Sequence, residues 1–151
     1  MSADEGGARP AWQGEIEIAA PAAAVWRALV EPELIARWML GARVESSWEV
    51  GAPIVFHVTL NRATYRDMGT ILEIVPGEVL RYDQWSRVTR LPDTPQNRGV
   101  TTLRLTPTPA GTRLSVHYAP PPAEAALEHG AFFWRATLIV IKGIVEGTAP
   151  A

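Results

Sequence analysis

Three neighbouring stretches decide the fold: Pro53-Ile54-Val55-Phe56-His57-Val58-Thr59-Leu60, then Asp67-Met68-Gly69-Thr70-Ile71-Leu72-Glu73-Ile74-Val75-Pro76-Gly77, then Val79-Leu80-Arg81-Tyr82-Asp83-Gln84-Trp85. In the first, Ile54, Phe56, Val58 and Leu60 alternate with Val55, His57 and Thr59, the period of two of a half-buried strand. Pro76-Gly77 stops the second and turns the chain into the third. Successive strand signals separated by turn residues, with no helical spacing between them, read as an antiparallel sheet.

Toward the N-terminus, Gly14 to Ile18 alternates glutamate with isoleucine and reads as one more strand. Pro21 suits the first turn of a helix, where Val25, Trp26 and Leu29 recur at helical spacing. Glu31-Pro32 breaks that helix, and Glu33 to Leu40 supplies a second one that turns Leu34, Ile35 and Trp38 inward. Ala42 to Glu49 is a further strand, turned at Gly51-Ala52-Pro53. Toward the C-terminus, Ser86 to Arg98 carries two prolines and four charges and reads as a long, mobile loop, placed to act as a lid. Val100 to Thr106 and Thr112 to Tyr118 form a last hairpin, and Pro120 to Pro122 separate it from a long final helix. There, Glu124, Glu128, Arg135, Lys142 and Glu146 define a solvated stripe. The opposite face centres on Ala126, Gly130, Phe133, Thr137, Val140 and Ile144, flanked by Trp134, Leu138 and Ile141, and its small residues leave room for close packing or for a ligand.

The 151 residues suit one domain: residues 1–12 read as a flexible tail and 13–147 as the folded unit. Lys and Arg number 14 against 16 Asp and Glu, without a block of like charge, so nucleic acid is not an expected partner. Cysteine is absent, which removes disulfides, thiol nucleophiles and thiolate metal sites. The longest uncharged stretch, Val50 to Asn61, is too short to span a bilayer, and the start has no apolar leader, so no membrane insertion and a cytoplasmic location are expected.

The order strand, helix, helix, about six antiparallel strands and one long helix resembles the helix-grip fold of the START-like, or SRPBCC, superfamily. Pro21 to Leu29 is similar to the opening motif of its branch named for activators of a heat-shock chaperone ATPase. Pro32-Glu33 with Arg37-Trp38 is similar to that branch's second helix. Gly69 to Pro76, Leu80-Arg81-Tyr82 and Gly111 to His117 resemble its strands, and Trp134, Leu138, Ile141, Lys142 and Glu146 keep the spacing of its closing helix. The resemblance covers roughly residues 14–146. Gly51-Ala52 stands where the branch often has Gly-Gly, and Phe133 where it often has Gly. Trp85 falls one position late, which implies a bulge near Asp83-Gln84 or a side chain turned outward. The resemblance implies an α+β domain in which a bent antiparallel sheet of about seven strands grips the last helix around an apolar cavity, with the two short helices at its mouth.

The residues offer little catalytic machinery. His57, His117 and His129 lack metal-ligand spacing, and the first two fall in phase with outward side chains. No metal or cofactor is expected. Glu73 shares a face with Gly69 and Ile71, Asp67 reads as surface charge, and Arg81 with Asp83 suits a cross-strand ion-pair ladder. The aromatic residues carry more: Tyr82 and Tyr118 point inward with hydroxyls that need partners, and tryptophan suits a core or a ligand wall. The expected ligand-binding residues are Trp38, Phe56, Val58, Met68, Leu72, Tyr82, Leu103 and Tyr118, with Leu105 beside them on the concave face, opposite Phe133, Trp134, Thr137 and Ile141 of the last helix.

The leading expectation is binding or carriage of a small hydrophobic or aromatic metabolite, with no catalysis required. One alternative is a polyketide cyclase, aromatase or hydratase activity with Tyr82, Tyr118 or Thr137 as proton donor. Another is a stress-response or chaperone-related interaction module, and a homodimer is compatible with each. A polar cluster deep in the cavity would mark the enzyme and an apolar cavity the carrier. A filled core with an exposed apolar patch would mark the interaction module.

Overall fold

The computed structural model describes residues 10–147. Its elements run β1 (Trp12–Ile18), α1 (Ala22–Val30), α2 (Pro32–Trp38), β2 (Arg43–Ser46), β3 (Pro53–Leu60), β4 (Ala63–Val75), β5 (Val79–Trp85), β6 (Gly99–Thr108), β7 (Gly111–Ala119) and α3 (Ala126–Glu146). The strands form one seven-stranded antiparallel sheet in the order β1-β7-β6-β5-β4-β3-β2, so α1 and α2 carry the chain from one edge to the other. Residues 1–9 of the expected tail lie outside the described residues. Trp12, counted with that tail, begins β1 opposite Tyr118.

Pro21 caps α1, and the helix ends where the Glu31 N–H bonds the Arg27 carbonyl. Pro32, which cannot continue that helix, opens α2 instead. Directly paired residues of an antiparallel sheet share a face. The inner face therefore reads across the strands as Ile16, Leu114 and Leu105, then Val116, Leu103, Leu80 and Ile74, then Tyr118, Thr101, Tyr82 and Ile71. Val25, Ile71, Leu114 and Ile141 are wholly removed from solvent, each such large aliphatic side chain contributing about 1.5–3 kcal/mol.

The register of β4 corrects the expected phase. Phe56 opposes Asp67, Ile54 opposes Gly69 and Val58 opposes Tyr65, so the inner residues of β4 are Tyr65, Asp67, Gly69 and Ile71. Met68 opposes Val55 and Trp85 on the outer face. The ladder to β5 shifts between Ile71 and Glu73, which makes Leu72 the extra residue of a bulge, and Leu72 does not pack on the core. The bulge also separates Glu73 from Gly69 and Ile71 and pairs it with Arg81 on the outside. Apolar alternation misread this strand because its inner positions include a charge and a glycine. Trp85 is turned outward, and both ladders run regularly through Asp83-Gln84.

The expected outer ion pairs form: Arg81 reaches Glu73 across the β4–β5 ladder at 3.3 Å, and Asp83 pairs with Arg98, just before β6, at 3.0 Å. The buried face of α3 is Trp134, Thr137, Leu138 and Ile141. It is turned from the expected centre toward its flank, leaving Val140 40% exposed. The helix packs most extensively on β1. Its end is tethered there by Ala19 N–H donating to Glu146 Oε2 at 2.7 Å and Lys142 Nζ donating to the Glu17 carbonyl at 2.9 Å.

Candidate functional site

Position 38 falls on the inner face of α2, which lies over β2. Its indole is buried, with Nε1 donating to the Ala28 carbonyl at 2.8 Å, so the polar atom is satisfied within the helix pair. The ring meets Trp134 at 5.9 Å between centroids, and Trp134 meets Phe133 edge-on at 5.2 Å. Below them on the sheet, Phe56 and Tyr82 stand 5.8 Å apart. The first contact joins α2 to α3, and the Phe56–Tyr82 contact joins β3 to β5 on the inner face of the sheet.

A cavity of about 10 Å³ remains beneath the two short helices. Its roof is Leu29, Ile35 and Trp38, its floor Phe56, Leu80, Tyr82 and Leu103, and its side Met39, Val44, Trp48 and Ile54. The space is about that of one water probe, and its walls offer almost no polar surface to hold a water. The Tyr82 hydroxyl is the polar atom of the floor. It is hydrogen-bonded by Thr101, itself buried, and burial pushes the phenol well above its usual range. Tyr82 is therefore a neutral hydroxyl, able to donate or accept a hydrogen bond.

Of the expected site residues, Trp38, Phe56, Tyr82 and Leu103 line this cavity. Trp134, Thr137 and Ile141 are buried on α3 without lining it, while Val58, Tyr118 and Phe133 are half-buried against the core, and Leu105 is buried. Met68 and Leu72 are not brought to the site, for the reason given above. The side chain of Leu60 lies outside the described residues. The cavity sits under α1 and α2 rather than under the long helix, because the space that Gly130 leaves is taken by the Tyr118 ring. Burial against the helix raises the Tyr118 phenol as well.

Asp67 is the functional candidate that the sequence concealed. It stands half-buried on the inner face opposite Phe56. Gln84 Nε2 donates to its Oδ2 at 3.2 Å, with Ser86 and the Arg87 backbone adding further bonds. Burial nonetheless raises its carboxyl above the ordinary range. Tyr65 lies beside it along β4 under the Arg87 guanidinium, 4.6 Å from the ring centroid. Only the pairing of β4 with Phe56 reveals that this acid faces inward.

The segment expected as a loose loop holds two 3₁₀ turns, Arg87–Thr89 and Pro95–Asn97. Trp85 Nε1 donates to the Leu91 carbonyl at 2.9 Å, and Arg98 reaches Asp93 at 2.9 Å and Asp83 and Thr70 Oγ1 at 3.0 and 3.2 Å. Its anchors are polar, made by the same charged residues that mark the segment as a loop in the sequence.

His57 bonds Glu45 at 2.7 Å on the outer face, and His117 and His129 are exposed. Among the described residues no group of three or more histidines and carboxylates could hold a metal ion, and no helix is long and apolar enough to cross a membrane. An open groove of about 570 Å³ also crosses the outer face, lined by Gln13, Glu15, Thr102, Arg104, Ser115 and His117. Its mouth is wide and its lining mixes polar and apolar surface, so it does not enclose an apolar ligand.

The family described as Activator of Hsp90 ATPase homolog 1-like protein matches residues 19–146. The solution structure of ChR145 from Cytophaga hutchinsonii is 32% identical, with 93% of this chain and 96% of that chain covered and a TM-score of 0.79. The crystal structure of MLL2253 from Mesorhizobium loti is 23% identical, covering 93% and 100%, with a TM-score of 0.74. The AHSA1-like protein of Aeromonas hydrophila is 19% identical, covering 91% and 93%, with a TM-score of 0.73. No curated protein matches the chain.

Proposed function

The chain belongs to the Activator of Hsp90 ATPase homolog 1-like family, and from that premise we propose that it is a binding domain for a small hydrophobic or aromatic molecule, seated between α1–α2 and the sheet. The observation that carries this reading is the cavity lining: eleven side chains, Tyr82 among them, that enclose the space with almost wholly apolar surface. Entry requires the side wall to move. Met39 and Trp48 both lie outside the regular elements, on links that include the left-handed Leu40, Gly41 and Trp48, so opening there breaks no sheet pairing. Catalysis is not required, since no nucleophile and base converge on the cavity among the described residues. The reading keeps the cytoplasmic location expected from the sequence, and the partner it requires is the ligand.

A second reading has its own support. The cavity is nearly closed and α3 carries exposed apolar side chains, Phe132 foremost, the combination of an interaction module. The family's name, which concerns an activator of a chaperone ATPase, points the same way.

Native mass spectrometry of the purified protein, together with titration by a naphthalene-type dye, separates the two. The ligand reading expects one apolar molecule per chain and, in Tyr82→Phe, a changed dye affinity beside a stability loss of about 1–3 kcal/mol from the unpaired Thr101 hydroxyl. A parent protein that binds neither a co-purifying molecule nor the dye supports the interaction module instead.

A further inference from the structure

The inner face of β4 presents Asp67, Gly69 and Ile71 in turn. A Cβ at Gly69 would fall on the Asp83 carbonyl oxygen, so no side chain can stand there. Strands two apart in a sheet are separated by roughly 10 Å, yet the rings of Phe56 on β3 and Tyr82 on β5 lie 5.8 Å apart with β4 running between them. The cavity floor thus bridges β4 over Gly69.

Asp67, the next inner residue, adjoins that floor along two strands. It is paired with Phe56 on β3, and its Oδ2 accepts from Gln84 Nε2, whose residue is paired with Gly69 and lies two positions from Tyr82 on β5. In the other direction β4 offers the buried, apolar Ile71. A molecule that widens the cavity along β4 therefore meets Asp67 and Gln84 as its first polar side chains. The carboxyl has room for another donor. Gln84, Ser86 and the Arg87 backbone bond it, yet burial outweighs them and raises it above the ordinary value of 3.8. The ionised group is thus under-solvated. Its cation is already present, because the Arg87 guanidinium acts on it from its place over the Tyr65 ring, so a neutral donor suits it better than a second cation.

On the ligand reading above, on which this inference rests, we propose that Asp67, held by Gln84, accepts a hydrogen bond from one end of the ligand, and that the ligand is an aromatic molecule bearing a neutral hydroxyl. Its ring lies on Phe56 and Tyr82, and its O–H donates to the carboxylate, a charge-assisted bond.

Parallel titrations with naphthalene and 2-naphthol, read by nuclear magnetic resonance, test it. A site built to pair a hydroxyl discriminates against the analogue that lacks one, so 2-naphthol is expected to bind at least about ten-fold more tightly. It also shifts the Gln84 side-chain amide signals, which naphthalene leaves in place. Asp67→Asn keeps the size of the side chain and removes its charge, so most of the preference is lost while naphthalene affinity stays within about two-fold. The Gln84 signals are read in the parent protein and do not depend on how the variant folds. Equal affinity for the two probes, a preference that survives in Asp67→Asn, or unmoved Gln84 signals overturns the proposal and leaves the ligand reading standing. Binding of neither probe overturns both.

Discussion

The ring of Tyr118 occupies the space that a side chain at Gly130 would need: a Cβ built on Gly130 would overlap three atoms of that ring. The long helix thus closes on β7 by a glycine–tyrosine contact, and the room that small residues on α3 suggest for a ligand is filled from the sheet. Gly130→Ala tests this. Helix propensity alone favours alanine by about 1 kcal/mol, whereas the overlap costs about 1–3 kcal/mol. A lower melting temperature is expected, and a higher one would show that the ring gives way freely.

The register of β4 makes a paired prediction. Ile71 is fully buried opposite Tyr82, and Met68 lies on the outer face beside Trp85. Ile71→Ala is expected to cost about 2–5 kcal/mol and Met68→Ala about 1 kcal/mol or less. Denaturant unfolding of the two variants reads the difference directly, and equal losses would argue against this register of β4.

Glu146 predicts a pH dependence. The Ala19 N–H, first, and Lys142 hold its carboxyl below the ordinary value of 4.5. A depressed folded value means the unfolded chain takes up the proton first, so the contribution is complete above 4.5 and fades as pH falls through the lower folded value. Glu146→Gln should therefore melt below the parent at neutral pH, with the two curves converging in acid. A constant gap across the titration would place the effect in packing.

The 86–98 segment should be held as firmly as its bonds allow. Arg98→Ala removes the links to Asp93, Asp83 and Thr70, so hydrogen exchange is expected to accelerate across this segment while β5 and β6 keep their protection. Unchanged exchange would mean that the Trp85 to Leu91 bond suffices.

Much of the fold was legible because alternation and spacing report burial, and burial drives these elements together. The inward phase of Phe56, Tyr82 and Leu103, the break at Pro32 and the inward Trp38 followed from local pattern. What stayed hidden depends on pairing between distant residues. Asp67 resembles any surface acid until β4 is set beside Phe56. A bulge at Leu72 leaves no mark in composition, yet it reverses every later side chain of the strand. The cavity was expected beneath α3 because small residues on a helix read as room, and only the position of Tyr118 shows that they accommodate a ring.

The most direct test of the ligand reading is methyl nuclear magnetic resonance during titration with a naphthalene-type probe. The account predicts shifts at Leu29, Ile35, Ile54, Leu80 and Leu103, whose side chains surround the cavity, saturating at one probe per chain, with Ile18 and Leu114 on the far side of the core unmoved. Shifts confined to the exposed face of α3 around Ile139, or no saturable shift at all, would contradict it.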